Sequence, residues 1–345
     1  MLVPLLLTLN ATASSETELP PALRADVSIG YELGMRWAGL EEDGEEGPEE
    51  VGRRRDMRHE VAIRGVFSIV EGFAVTAGAD VIPGQRVQHL TSRAMVADPD
   101  TGRGSYLDGD ALEEPPTYSG SGLEGIWLGM AFQPYSEDES RQHEVTWRLD
   151  LAVRTPPSRT FWEANDDGKR GVGAGGPTYR LAAAFSRDHD SSSPYMTADW
   201  RLTTPRSVTT DGPDGEVDLR VRPGHTLDVV GGVEIRLTKA DAAPTRADLD
   251  LHTGFGYRSP QTLVSGILLP DVLDASRTEE SVRAERLGWR AGAAFDIEVA
   301  EPVELRLWSR AFWALPWRVE QTYKVRTTLD TVQAAFGLDI RMRIR

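Results

Sequence analysis

Several long segments of the chain keep their ionisable side chains on one alternating register. Glu32 and Arg36 share one such register, as do Arg148 and Asp150, Asp199 and Arg201, Glu234 and Arg236, Asp248 and Asp250, and Asp339 and Arg341. Arg64, Arg180, Arg290, Asp296 and Arg306 hold equivalent places in their own segments. A guanidinium presents a rigid donor fork that matches a carboxylate, so opposed Arg and Asp or Glu residues clamp facing walls together. That chemistry binds and stiffens. Spacings for catalysis are absent: neither G-x-S-x-G nor H-E-x-x-H occurs. Gly171, Gly173 and Gly176 spell G-x-G-x-x-G, but they lead into an extended segment, not a helix N-terminus that could face a phosphate. His89 beside Asp98, or His225 beside Asp211 and Asp214, are the pairs from which a hydrolytic site could be assembled. Asp98, Asp100, Asp108 and Asp110 offer carboxylates at alternate positions, the donor type calcium takes. Asp-Gly is equally ordinary turn chemistry, so no metal site is assigned with them, and no cofactor is expected.

The elements that carry these residues are strands. In residues 26–38, Val27, Ile29, Tyr31, Leu33, Met35 and Trp37 alternate with Ser28, Gly30, Glu32, Gly34, Arg36 and Ala38. Side chains alternate faces along a strand, so one wall is apolar and the other small or charged. Residues 143–154, 226–238, 287–299 and 332–344 repeat the pattern. Twelve strands are predicted, near 25–38, 57–70, 73–87, 122–134, 143–155, 177–188, 194–204, 226–239, 246–259, 286–300, 303–316 and 328–345. Most exceed the ~5–6 residues usual in soluble sheets and match the ~9–11 that cross a bilayer at a tilt. The intervals after even-numbered strands are short, and those after odd-numbered strands are mostly longer. A membrane barrel segregates its connections in this way, with tight turns on one side and long loops on the other. Trp37, Trp147, Trp200, Trp289, Trp313 and Trp317 fall near strand ends, where interfacial girdles lie.

Composition narrows the classes further. The chain has 345 residues, 54 acidic against 38 basic and a formal net charge of −16, which disfavours nucleic acid as a partner. There is no cysteine, which excludes disulfides, thiol catalysis and Cys-ligated metals. Residues 1–9 read MLVPLLLTL and precede Ala11-Thr12-Ala13, the layout of a cleaved export signal. The expected organisation is a signal peptide over 1–13, a short periplasmic segment over 14–24 and one transmembrane domain over 25–345.

Taken together, the alternating segments, the rhythm of short and long connections and the alternating terminal strand 328–345 resemble a Gram-negative outer-membrane β-barrel. Barrels of that class commonly end on an aromatic residue, whereas this chain ends Ile344-Arg345 with Phe336 well inside. The Gly-rich entry 171–176 into the strand at 177–188 is similar to barrels of the hydrophobic-substrate transporter type. The resemblance implies an all-β, antiparallel up-and-down barrel of about twelve strands in the outer membrane. Its partners would be outer-membrane lipid, lipopolysaccharide and the barrel-assembly machinery, with small solutes as cargo.

In such a barrel the apolar residues face lipid and the charged set faces the lumen. A strand spacing of ~4.8 Å and a tilt of ~40° give twelve strands a backbone radius of roughly 12 Å. That is wide enough for a narrow channel and narrow enough for crossing arginines to close it. Three functions follow: a channel or facilitator for small solutes, a closed salt-bridged barrel acting as a structural or surface-interaction protein, and a hydrolase sited at the rim. Two outer segments add detail. Residues 39–56 carry seven carboxylates ahead of Arg53-Arg54-Arg55 and are expected to form a solvated loop. Residues 260–285 carry Leu263, Ile267, Leu268 and Leu269, an apolar patch expected to pack on the rim or to act as a gate.

Overall fold

The computed structural model describes residues 18–344, apart from 45–46, 91–92, 98–103, 109–116, 137–144, 161–168, 174, 190, 213–214, 239–245, 260, 267–277, 284–285, 301, 316, 322–323 and 329–330. Twelve antiparallel strands form a closed ring: β1 (Ala25–Gly44), β2 (Gly47–Val70), β3 (Phe73–Leu90), β4 (Thr117–Tyr135), β5 (Thr146–Arg154) and β6 (Thr178–Ser186), then β7 (Ser192–Thr203), β8 (His225–Arg236), β9 (Ala247–Arg258), β10 (Arg286–Ala300), β11 (Val303–Ala314) and β12 (Thr331–Ile344). Each pairs with its sequence neighbour, and β12 returns to β1 from Ala25↔Ile344 to Trp37↔Val332. Closure satisfies both edges of every strand, which is why such a ring tolerates a medium without water.

Alternation sets the sense of the wall. Outward residues are apolar and open, such as Ile29 at 48% and Leu151 at 52% exposure, whereas inward Asp199 and Arg58 are at 1%. A girdle closes the short-turn end, where Trp147 stacks edge-on against Tyr135 and Phe185 at 5.8 and 5.1 Å. Trp37, Trp289 and Trp313 are exposed near the opposite end, and Trp200 faces outward on β7. The ring of Trp317 lies outside the described side chains. With polar groups inside, the apolar interior shrinks to small clusters, of which Ala294, Trp308 and Ala335 form one and Phe312 with Ala314 another.

Turns follow local chemistry. Glu71-Gly72 joins β2 to β3, and Gly72 takes a φ of 74°, where a Cβ would also meet the Gln133 carbonyl at 2.8 Å. Pro83 and Gly84 interrupt the β3–β4 register between Ile82 and Gln85, a bulge opposite Gly120 and Gly122.

The long connections differ from expectation in one respect. Residues 39–56 continue the β1–β2 ladder as far as Gly44↔Gly47, so the acidic segment is a paired hairpin and not an irregular loop. Backbone pairing needs no apolar face where water covers both sides, and strands already held side by side continue until a turn signal intervenes. Arg206–Gly212 with Gly215–Arg222, Gln261–Gly266 with Thr278–Arg283, and Trp317–Gln321 with Lys324–Thr328 extend the wall in the same manner. Leu263 sits in this extension, its backbone opposite Val221 and Ser281, while Ile267, Leu268 and Leu269 fall outside the described residues. Arg93–Ala97 pairs with Gly104–Asp108 as a separate hairpin, and Asp98, Asp100 and Asp110 lie outside the described residues.

Candidate functional site: the charged lumen

Antiparallel closure brings the inward face of every strand to one axis. The residues predicted to line the lumen all lie on the side of the wall away from the apolar belt. Glu32, Arg36, Asp199, Arg201, Glu234, Asp248, Asp250, Arg290, Asp296, Arg306 and Asp339 are buried. Arg64, Arg148, Asp150, Arg180, Arg236 and Arg341 are half-buried.

Near the short turns, Arg306 joins Asp250 at 2.8 Å to Asp296 at 3.2 Å, and Tyr195 donates to Asp250 at 2.9 Å. Arg246 links Asp248 at 2.6 Å to Glu234 at 3.3 Å, Arg148 pairs with Asp150 at 2.8 Å, and Arg341 bonds Asp26. Arg236 lies 3.9 Å from Asp188 in the β6–β7 turn. At mid-barrel, Asp199 is held by Arg180 at 2.7 Å and Arg201 at 2.8 Å. On the opposite wall, Arg310 reaches both Glu32 oxygens at 2.8 Å, and Trp308 donates to Asp339 at 3.0 Å.

The densest knot spans β2 to β5. Arg58 bonds Glu60 at 3.0 Å and also Glu124, and Arg154 reaches Glu124 at 3.3 Å. Asp80 accepts from Trp127 Nε1 at 2.6 Å and from Arg64. Arg154 and Arg201 both lie over the Trp127 ring, at 5.3 and 5.9 Å. Glu60, Asp80 and Glu124 bring carboxylate oxygens within 4.8 Å of one another. Each of them is occupied by arginine, so the trio is a set of ion pairs more than a cation cage.

Arg58, Glu60, Tyr195, Asp228 and Arg310, with the interior tryptophans Trp127 and Trp308, were not among the predicted site residues. For Arg58 and Glu60 the signal existed, since Arg58, Glu60, Ala62 and Arg64 alternate with apolar Val61 and Ile63. Val66, an apolar residue on the inward register, obscured it. Trp308 and Phe312 alternate with outward Leu307 and Trp313, so hydropathy alone could not assign a face on β11.

A cavity of about 280 Å³ lies within the ring between these clusters. One wall is small, with Ala62, Ala152, Ala182 and Ala184; the rest is charged, including Asp80, Asp150, Asp199, Arg148 and Arg180. At the short-turn end, the segment before β1 passes under the barrel. Leu19 N–H donates to Gln133 Oε1 at 2.7 Å and Leu23 N–H to the Ser68 carbonyl at 2.8 Å. A further cavity of about 250 Å³ lies between this segment and the ends of β10 to β12.

Of the histidines considered for a rim site, the ring of His225 rests on Tyr257 at 6.0 Å, and its backbone N–H donates to Ser259 Oγ at 2.8 Å. The side chains of His89, Asp98, Asp211 and Asp214 lie outside those described.

No family model matches the sequence, and no curated protein shows significant similarity to it. Among solved structures, it is similar to an outer membrane channel from Pseudomonas putida F1, at 11% identity and a TM-score of 0.48, covering 95% of this chain and 99% of that one. It is also similar to the P. putida toluene transporter TodX, at 9% identity and a TM-score of 0.39, covering 93% and 90%. A third is the outer membrane protease OmpT from Escherichia coli, at 7% identity and a TM-score of 0.35, covering 93% and 96%. At those scores the similarities add no detail to the geometry. The ring itself has no free edge, wears an apolar belt between aromatic girdles and turns its charges inward, and on that ground the chain is an outer-membrane β-barrel.

Proposed function

We propose that the barrel is a narrow channel or facilitator for small solutes. The observation that carries this reading is the cavity of about 280 Å³ inside the ring, its alanine wall facing a wall of ion pairs. Such a surface exchanges hydrogen bonds with a polar solute without offering one deep binding well, which favours passage over retention. Glu124, Arg154 and Trp127 line the cavity, with Arg58 bonded to Glu124 behind them, and this knot is the constriction. A solute crosses when Arg154 swings from Glu124.

Planar-bilayer recording tests this. Wild-type protein is expected to show small, discrete conductance steps, and Arg154→Ala to raise their amplitude severalfold. Background current from both proteins would refute transport. That result would support a closed barrel with a structural or surface role, a reading favoured by the same ion pairs when they never exchange.

A further inference from the structure

A separate cavity of about 20 Å³ sits in the half of the lumen nearer the long connections, between β9 and β12. Arg258, Arg290 and Arg310 border it together with Phe312, Gln333 and two alanines, and among the described residues no carboxylate lines it. Two of the three guanidiniums are engaged elsewhere: Arg290 donates to Asp228 at 3.0 Å, and Arg310 to Glu32 at 2.8 Å. Arg258 differs, because its Nη1 is buried with no hydrogen-bond partner. The acidic groups acting on Arg258 are Asp228, whose Oδ1 holds Arg290 while its buried Oδ2 has no partner among the described residues, and Asp199, bonded to Arg180 and Arg201. Arg286 adds a fourth guanidinium, laid on the Phe312 ring at 5.4 Å and electrostatically next to Arg258 and Arg36.

Like charges gathered out of water need a counter-charge, and a buried donor without an acceptor is costly. We propose that this cavity is a binding site for one halide-sized anion, chloride under ordinary conditions. Size selects the class, since a void must offer ~10–15 Å³ to hold a water. The observed volume admits a monatomic ion with a slight shift of side chains, but neither sulfate nor phosphate. The donors are Arg258 Nη1, with the guanidinium of Arg290 and the amide of Gln333 beside it. Phe312 closes one side. The site depends on burial and charge alone, so it stands whether or not the lumen conducts.

The test uses the intact barrel folded in detergent, with sodium chloride exchanged for sodium gluconate at constant ionic strength. Chloride is expected to raise the thermal unfolding midpoint saturably, by about 2–4 °C at tenfold saturation. Arg258→Gln should lose that dependence, while Arg343→Gln, at the exposed short-turn end, should keep it. Equal midpoints of the wild type in the two salts would overturn the site and assign the cavity to water. Should Arg258→Gln fail to fold, bromide-soaked wild-type crystals decide the matter. An anomalous peak within hydrogen-bond reach of Arg258 supports the site, and a map without one rejects it.

Discussion

Arg58 has a side chain only 1% exposed and touches two carboxylates, so it can neither be rehydrated nor replaced by a neighbour. Removing one member of a buried pair strands the other, and Arg58→Ala is expected to cost about 3–5 kcal/mol in urea unfolding from lipid vesicles. Arg64 also holds a carboxylate, but its side chain is 35% exposed to the lumen. Asp80 keeps the Trp127 indole at 2.6 Å and the charge of Arg154 at 4.0 Å, so Arg64→Ala should cost under about 1 kcal/mol in the same assay. Equal losses from the two substitutions would mean that water fills the lumen evenly. Trp127 and Trp308 show another route to satisfaction: each is placed inside by an indole N–H that a carboxylate accepts, Asp80 for one and Asp339 for the other. The charges of the site were legible in the sequence because period-two spacing assigns a face to each. Which Arg meets which acid was not legible, because partners such as Glu32 and Arg310 stand 278 residues apart.

A strand in this wall is constrained on its inner face by what leans across it. A Cβ on Gly337 would lie 2.2 Å from the Trp308 ring, so the absent side chain is what lets the indole lie flat over β12 towards Asp339. Gly337→Val is expected to destabilise the barrel by about 1–3 kcal/mol and to alter Trp fluorescence. Gly65→Ala is the control: its nearest neighbour is the Ala77 carbonyl at 3.9 Å, and its effect should stay within about 0.5 kcal/mol. If both variants unfold alike, backbone flexibility and not packing is the reason for glycine at 337. Alternation marks the strands of the ring in the sequence, least regularly over 57–70 and 303–316. Their extensions beyond the membrane were not legible there, because 39–56 shows no apolar face and pairs only through the backbone hydrogen bonds of the ladder.

Closure is a property of the entire ring, and it predicts behaviour that no single hairpin would show. With every strand edge paired, the folded protein should survive cold detergent and migrate faster unboiled than boiled on a gel of the outer-membrane fraction. Identical mobility would contradict a closed barrel. The acidic hairpin stands outside that closure. Replacing residues 41–50 with a two-residue turn removes seven carboxylates and should leave the heat-dependent shift intact. Loss of the shift would show that the hairpin helps to nucleate the ring.

The sequence by itself determined the class of the fold, the number of strands and the face of most side chains. These follow from local period-two alternation and from the spacing of turns, which any stretch of a dozen residues carries. Only the tertiary structure decided that the lumen divides into an alanine-walled cavity, a knot of ion pairs beside Trp127 and a small void edged by arginines. Those features depend on which strands face each other across the ring and how far each guanidinium reaches. Both are set by register and closure, which link residues hundreds of positions apart and leave no trace in local pattern.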